Sequence, residues 1–192
     1  MKKIKIILVL GIVIPLLTGC FKRDNMDNID IYATVYPIEY LVKSIYGYNS
    51  TINSIYPNGT DTKTYELTEK QLKEYANVDL FVYNGLTSEK STAADLLKYN
   101  SGLKVIDVSK GIALQHAQEE LWLCPSNYLM LAQNIKNELV DYTKSTILKQ
   151  EINEKYDALK LTISKYDAEL KLIAENAANN NIIVGNDVFL FL

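Results

Sequence analysis

The 192-residue chain reads as an α/β protein with a parallel sheet in its amino-terminal lobe, and three observations carry that reading. Short runs of β-branched and aromatic residues alternate with segments of helical periodicity, the pattern of βαβ units. One run, Asp79 to Tyr83 (DLFVY), is almost entirely apolar, as expected of a strand covered on both faces. Turn and capping signals fall between the runs rather than inside them.

Ile29 to Tyr36 (IDIYATVY) predicts the first strand. Pro37 then suits the first turn of a helix, where its fixed φ is already helical and its missing N–H is not needed. Ile38, Leu41, Val42 and Ile45 recur at helical spacing, and Gly47 closes that helix. Thr51 to Tyr56 predicts a second strand, ended by the turn signal Pro57-Asn58-Gly59. Thr68 and Gln71 stand at capping-box spacing, so a helix starts there and carries Leu72 and Tyr75 inward. Asp79 to Tyr83 is the third strand, Asn84-Gly85 turns the chain into a helix over Ser88 to Tyr99, and Leu103 to Val108 is the fourth strand.

Beyond Gly111 a polar stretch leads to Trp122-Leu123-Cys124-Pro125, after which Ser126 is placed to cap a helix running to about Lys144. Ile152, Tyr156, Leu159, Ile163, Tyr166, Leu170 and Ile173 follow at spacings of 4, 3, 4, 3, 4 and 3, the heptad seam of one long helix. This seam predicts packing along the parent lobe, with a coiled-coil partner as the alternative. Ile182 to Gly185 predicts a further strand, and the apolar Val188-Phe189-Leu190-Phe191-Leu192 reads as the start of a second α/β lobe; a short strand folding back onto the first sheet is the other reading. The expected organisation is a leader over 1–19, a tether over 20–28, the amino-terminal lobe over 29–144, a long connecting helix over 145–180 and the beginning of a truncated carboxy-terminal lobe over 181–192.

Hydrophobic residues make up 48% of the chain and charged residues 22%, a globular balance. With 20 Lys+Arg against 23 Asp+Glu and no basic patch, the composition argues against nucleic acid as a partner. Enzyme classes find little support. The single histidine, His116, has no Gly-x-Ser-x-Gly elbow near it. A Cys124–His116 pair within one loop is not the usual arrangement from separate segments. Pro57-Asn58-Gly59-Thr60-Asp61 lacks the spacing of a phosphate loop.

The amino terminus places the chain. Lys2, Lys3 and Lys5 precede an apolar run from Ile6 to Leu17, and Leu17-Thr18-Gly19-Cys20 follows. This is the layout of a secretory leader, and its end looks like a lipobox, with Cys20 the residue that carries lipid. The run is shorter than the ~20 residues of a spanning helix, although a retained anchor helix is the alternative. Either way, the mature chain works at the extracytoplasmic face of a bacterial membrane. Cys124 then has no partner for a disulfide.

The ordered set Ala33-Thr34-Val35-Tyr36-Pro37, Ile45-Tyr46-Gly47, Pro57-Asn58-Gly59-Thr60-Asp61, Tyr65-Glu66-Leu67-Thr68, Asn84-Gly85 with Glu89, and Trp122-Leu123-Cys124-Pro125 resembles the zinc/manganese solute-binding lipoproteins of ABC importers. The resemblance implies two α/β lobes joined by a long rigid helix, with metal held in the cleft between them. It implies zinc or manganese as the transported ligand rather than a resident cofactor. A membrane permease is the implied partner, and the receptor is expected to be a lipid-tethered monomer that is not an enzyme.

The family's metal-binding histidines correspond here to Lys63, Glu120 and Asn186. Glu120 is a competent ligand, Asn186 a poor one for zinc, and a protonated Lys63 repels a divalent cation. Two readings follow: Lys63 stands in for the cation and pairs with Glu120, or both side chains are simply solvated. His116 lies in the loop where relatives carry a His-rich segment, as an accessory ligand or a plain loop residue. Cys124 is a small apolar group or a reactive thiol. Two functions are carried forward: an importer's solute receptor, or a family member that kept the scaffold and lost the metal, acting as a surface adhesin or interaction protein or left without function.

Overall fold

The computed structural model describes residues 26, 28–47, 50–62, 64–113, 120–179, 181 and 183. Four strands form one sheet: β1 (Asp30–Ala33), β2 (Thr51–Ser54), β3 (Leu80–Tyr83) and β4 (Lys104–Asp107). Their order is β2-β1-β3-β4 and every pairing is parallel. Ile31 stands opposite both Ile52 and Leu80, and Phe81 opposite Val105, so apolar side chains fall in register across the sheet. The α/β class and the parallel arrangement are as the alternation of elements predicts.

The helices are α1 (Tyr36–Ile45), α2 (Glu69–Tyr75), α3 (Glu89–Tyr99), α4 (Pro125–Tyr142) and α5 (Thr146–Glu175). Helix α1 packs on β1 and β2 and is in turn covered by α4 and α5, while α3 lies on β3 and against α2. Ile38, Leu41, Val42 and Ile45 are fully buried, which is the stripe their spacing predicts. The capping box at Thr68 forms with both reciprocal hydrogen bonds to Gln71. Leu72 and Tyr75 turn inward only in part, and Tyr75 meets Tyr32 of β1 with ring centroids 4.8 Å apart.

Helix α4 departs from expectation at its start. Cys124, not Ser126, holds the capping position, with extended backbone angles, and Pro125 is the first helical residue. The first intrahelical bond runs from Tyr128 N to the Cys124 carbonyl at 2.9 Å. Pro125 has no N–H to satisfy and a φ already set for the helix, so the turn begins there and Ser126 is drawn inside it. A single 3-10 turn, Leu121–Leu123, leads in.

The heptad seam divides. Ile152, Tyr156, Leu159 and Ile163 are buried against the lobe, whereas Tyr166, Leu170 and Ile173 are exposed. The first half of α5 therefore belongs to the lobe's core and the second half leaves it. Among the described residues no helix is long and apolar enough to cross a membrane. The leader and Cys20 lie outside the described residues, as does nearly all of the strand expected over Ile182 to Gly185.

Candidate functional site

In an open parallel sheet a ligand sits outside the carboxyl ends of the strands, where neighbouring connections run in opposite directions. Here the chain leaves β1 toward β2 on one side and reaches β3 on the other, so the crevice lies between the ends of β1 and β3. Thr34 and Asn84 are the residues immediately past those ends.

A buried polar network ties these ends together. Glu89, in the first turn of α3 and only 2% exposed, accepts hydrogen bonds from the Thr34 hydroxyl and from Asn84 N, the latter at 2.8 Å. A helix amino terminus favours a carboxylate electrostatically, and these donors offset the cost of burying it. Thr34 N donates to the Val82 carbonyl at 3.0 Å and Tyr56 N to the Thr34 carbonyl at 3.1 Å, so the segment after β1 is held from both neighbouring strands. One helical turn along α3, Thr92 shares a hydrogen bond with the Tyr56 hydroxyl at 3.0 Å. Burial pushes the Tyr56 phenol above its ordinary pKa; Thr92 pulls it back and nearby Glu89 adds to the rise. The Asn84 side chain is 1% exposed; its oxygen accepts from Leu86 N at 3.1 Å, and its Nδ2 has no partner among the described residues.

The end of β4 is tied in through Asp107, whose Oδ1 accepts from Gly85 N at 2.9 Å, Ser109 N at 2.9 Å and Ser109 Oγ at 2.6 Å. A Cβ on Gly85 would lie 2.0 Å from Asp107 Oδ2, so only glycine admits this approach. On the α1 side, Tyr36 is 55% and Tyr40 44% exposed, while the Tyr128 hydroxyl donates to the Pro37 carbonyl at 2.9 Å. Burial drives the Tyr128 phenol far above its usual range, with Tyr40 and Tyr36 adding to the effect.

Of the residues singled out from sequence, Cys20, Lys63, His116 and Asn186 lie outside the described residues. Glu120 is half-buried immediately before the 3-10 turn, and its carbonyl accepts from Leu123 N at 3.1 Å. Cys124 is a free, half-buried thiol with its sulfur 3.1 Å from Ser126 Oγ. Among the described residues no cluster of three or more His, Cys, Asp or Glu could hold a metal ion. The roles of Thr34, Glu89, Thr92, Asp107 and Tyr128 escaped the sequence reading. One signal for Glu89 and Thr92 was available: polar residues at i, i+3 on a face shared with Ala93 and Leu96. Chemically, the crevice has a floor tied together by buried hydrogen bonds, with Asn84 Nδ2 left without a partner among the described residues.

Comparison with known proteins agrees with this architecture. The profile of the family described as "Zinc-uptake complex component A periplasmic" matches residues 31–192. A metal ABC transporter substrate-binding lipoprotein of Streptococcus mutans, SloC, is 28% identical over 155 residues, covering 72% of this chain and 51% of the relative. A manganese ABC transporter substrate-binding lipoprotein of Streptococcus pneumoniae, PsaA, is 28% identical over 205 residues, covering 90% of this chain and 65% of the relative. Among solved structures, ZnuA superimposes with a TM-score of 0.77 at 24% identity, over 86% of this chain and 66% of the other. The metal-dependent lipoprotein YcdH from Bacillus subtilis gives 0.75 at 21%, over 85% and 62%. The chain thus spans about half to two thirds of the length of these relatives. With the profile matching from within β1 through the last residue, the chain belongs to the zinc-uptake complex component A family.

Proposed function

We propose that this chain is the solute receptor of a metal importer of the zinc/manganese type, capturing its cation at the crevice beyond β1 and β3 and delivering it to a membrane permease. The family is one of solute-binding transport proteins rather than enzymes. The observation that carries the reading is the family match over residues 31–192 on a sheet whose switch point has a hydrogen-bonded floor. The relatives' names, metal and manganese ABC transporter substrate-binding lipoproteins, support a metal cargo and a permease partner. Together with Leu17-Thr18-Gly19-Cys20 they support lipid attachment at Cys20 and work at the extracytoplasmic face.

Lys63, Glu120 and Asn186 stand at the family's ligand positions, and among them Glu120 is the competent coordinating group, with His116 as accessory ligand. The Lys63 ammonium offsets the cation's charge and weakens its binding. Connecting helix α5 limits the hinge between the lobe and whatever follows it. Calorimetric titration of the full chain with zinc and with manganese tests this. Expected are saturable binding, loss of affinity in Glu120→Gln and a gain in Lys63→His. Absence of binding by both metals, in the native chain and in the variant with histidine introduced at 63, 120 and 186, overturns it.

A further inference from the structure

A second cavity, of about 290 Å³, opens between α2, α3 and the segment that follows β2. It uses none of the positions discussed above as metal ligands. Two of its polar side chains are more than nine-tenths buried: Tyr56 is 6% and Thr92 9% exposed, and their hydroxyls share a hydrogen bond of 3.0 Å. Tyr65 forms an aromatic wall, edge-to-face with Tyr56 at 5.8 Å between ring centroids. Its hydroxyl accepts from Gln71 Nε2 at 3.3 Å, and Gln71 is itself locked in the capping box of α2, so the wall is anchored to a helix terminus. Leu67 and Leu72 supply apolar surface, Ser91 a further hydroxyl, and two carboxylates, Glu66 and Asp95, complete the lining.

These groups select by charge. Asp95 is engaged with Lys98 at 2.7 Å, whereas Glu66 has no ion-pair partner among the described residues. An anion is repelled by the uncompensated Glu66 carboxylate. A hard divalent cation is held chiefly by several carboxylate and carbonyl oxygens, whereas here Asp95 is already paired with Lys98 and Glu66 is the one uncompensated carboxylate, beside the hydroxyls of Tyr56, Tyr65, Ser91 and Thr92. An organic ammonium ion asks for what is present: a carboxylate, aromatic surface for a cation, hydroxyl lone pairs to accept N–H bonds, and apolar contact for its methylenes. The volume, near the lower end of small-molecule sites, suits a short alkyl chain.

We propose that this cavity binds a small organic ammonium ion, with Glu66 as its counter-ion and the Tyr56–Thr92 hydroxyl pair as its acceptor floor. The site adjoins the crevice through the Tyr56–Thr92 pair but includes none of the positions proposed as metal ligands, so it does not rest on metal capture.

The test titrates the full chain with 1,4-diaminobutane, following amide shifts by NMR and heats by calorimetry, with butane-1,4-diol as the uncharged isostere and manganese chloride in a parallel arm. Saturable diamine binding with a dissociation constant of about 1 mM or tighter is expected, with shifts centred on Tyr65, Glu66 and Thr92. Glu66→Gln should weaken it by roughly tenfold while leaving manganese binding and the thermal midpoint unchanged, since Glu66 is exposed and such substitutions alter stability little. No saturable response up to about 10 mM diamine, equal binding of the diol, or undiminished binding in Glu66→Gln overturns the proposal. Because the manganese arm is read separately, failure here is distinguishable from failure of the metal-receptor reading.

Discussion

Lys155, in the first half of α5, donates from its Nζ to the carbonyl of Tyr46 at 3.1 Å, capping the end of α1 across 109 positions of sequence. The carbonyl end of a helix carries partial negative charge, so an ammonium placed there is favoured. The contact also explains Gly47: its φ is +82°, and a Cβ there would lie 2.8 Å from Lys155 Nζ. Lys155→Met should cost about 1 kcal/mol. Gly47→Ala should cost about 1–2 kcal/mol from backbone conformation alone. Urea unfolding of the two variants and their combination checks this; because the double variant has no ammonium to displace, its cost should fall short of the sum.

Glu89 is predicted to be the most sensitive polar position in the lobe. Glu89→Ala leaves the Thr34 hydroxyl and Asn84 N without their shared acceptor in a buried setting, at a cost of about 2–4 kcal/mol. Glu89→Gln retains an oxygen where Oε2 stands and should cost less than about 1.5 kcal/mol. Chemical denaturation of both variants checks the order; equal losses would show that the hydrogen bonds are not the source of the effect.

Two leucines of one seam should behave differently. Leu159 is 7% exposed and Leu170 46%, although both occupy the same apolar stripe of α5. Leu159→Ala should destabilise the lobe by about 2–5 kcal/mol through cavity formation. Leu170→Ala should stay within about 0.5 kcal/mol in this chain. Thermal unfolding of the pair measures the contrast directly.

Alkaline pH should unfold the lobe through its buried phenols. Tyr128 and Tyr56 have pKa values raised by burial in the folded state. Above the ordinary phenol pKa of about 10, the unfolded chain loses these protons while the folded chain keeps them. Stability is therefore complete below that pH and declines as pH climbs through the folded values. Tyr128→Phe, which also removes the bond to the Pro37 carbonyl, should be less stable near neutrality and show a shallower decline between about pH 10 and 11. Urea midpoints across that range provide the readout.

Much of the lobe is legible in the residues themselves, because the signals involved are local. Thr68 and Gln71 announce a capping box three residues apart, and that box forms. Asp79 to Tyr83 announces a strand buried on both faces, and β3 takes its place in the middle of the sheet. Pro125 misled the placement of the cap only by two residues, since proline's own geometry outranks the preference of Ser126 for a capping position. The crevice is different. Thr34, Asn84 and Glu89 were visible as parts of family-like strings, yet nothing local said that a carboxylate 55 positions away would receive the Thr34 hydroxyl.

Periodicity and turn chemistry are properties of neighbouring residues, so the sequence alone determined that strands and helices alternate, roughly where each lies, and which stripe of each helix is apolar. Which stripe is covered, and by what, depends on residues brought together from distant parts of the chain. Tertiary packing alone decided that the seam of α5 is buried to Ile163 and exposed from Tyr166, and that Lys155 closes α1. It also decided that Glu89 joins the ends of two strands, because burial turns an ordinary acidic residue into one that must find its donors.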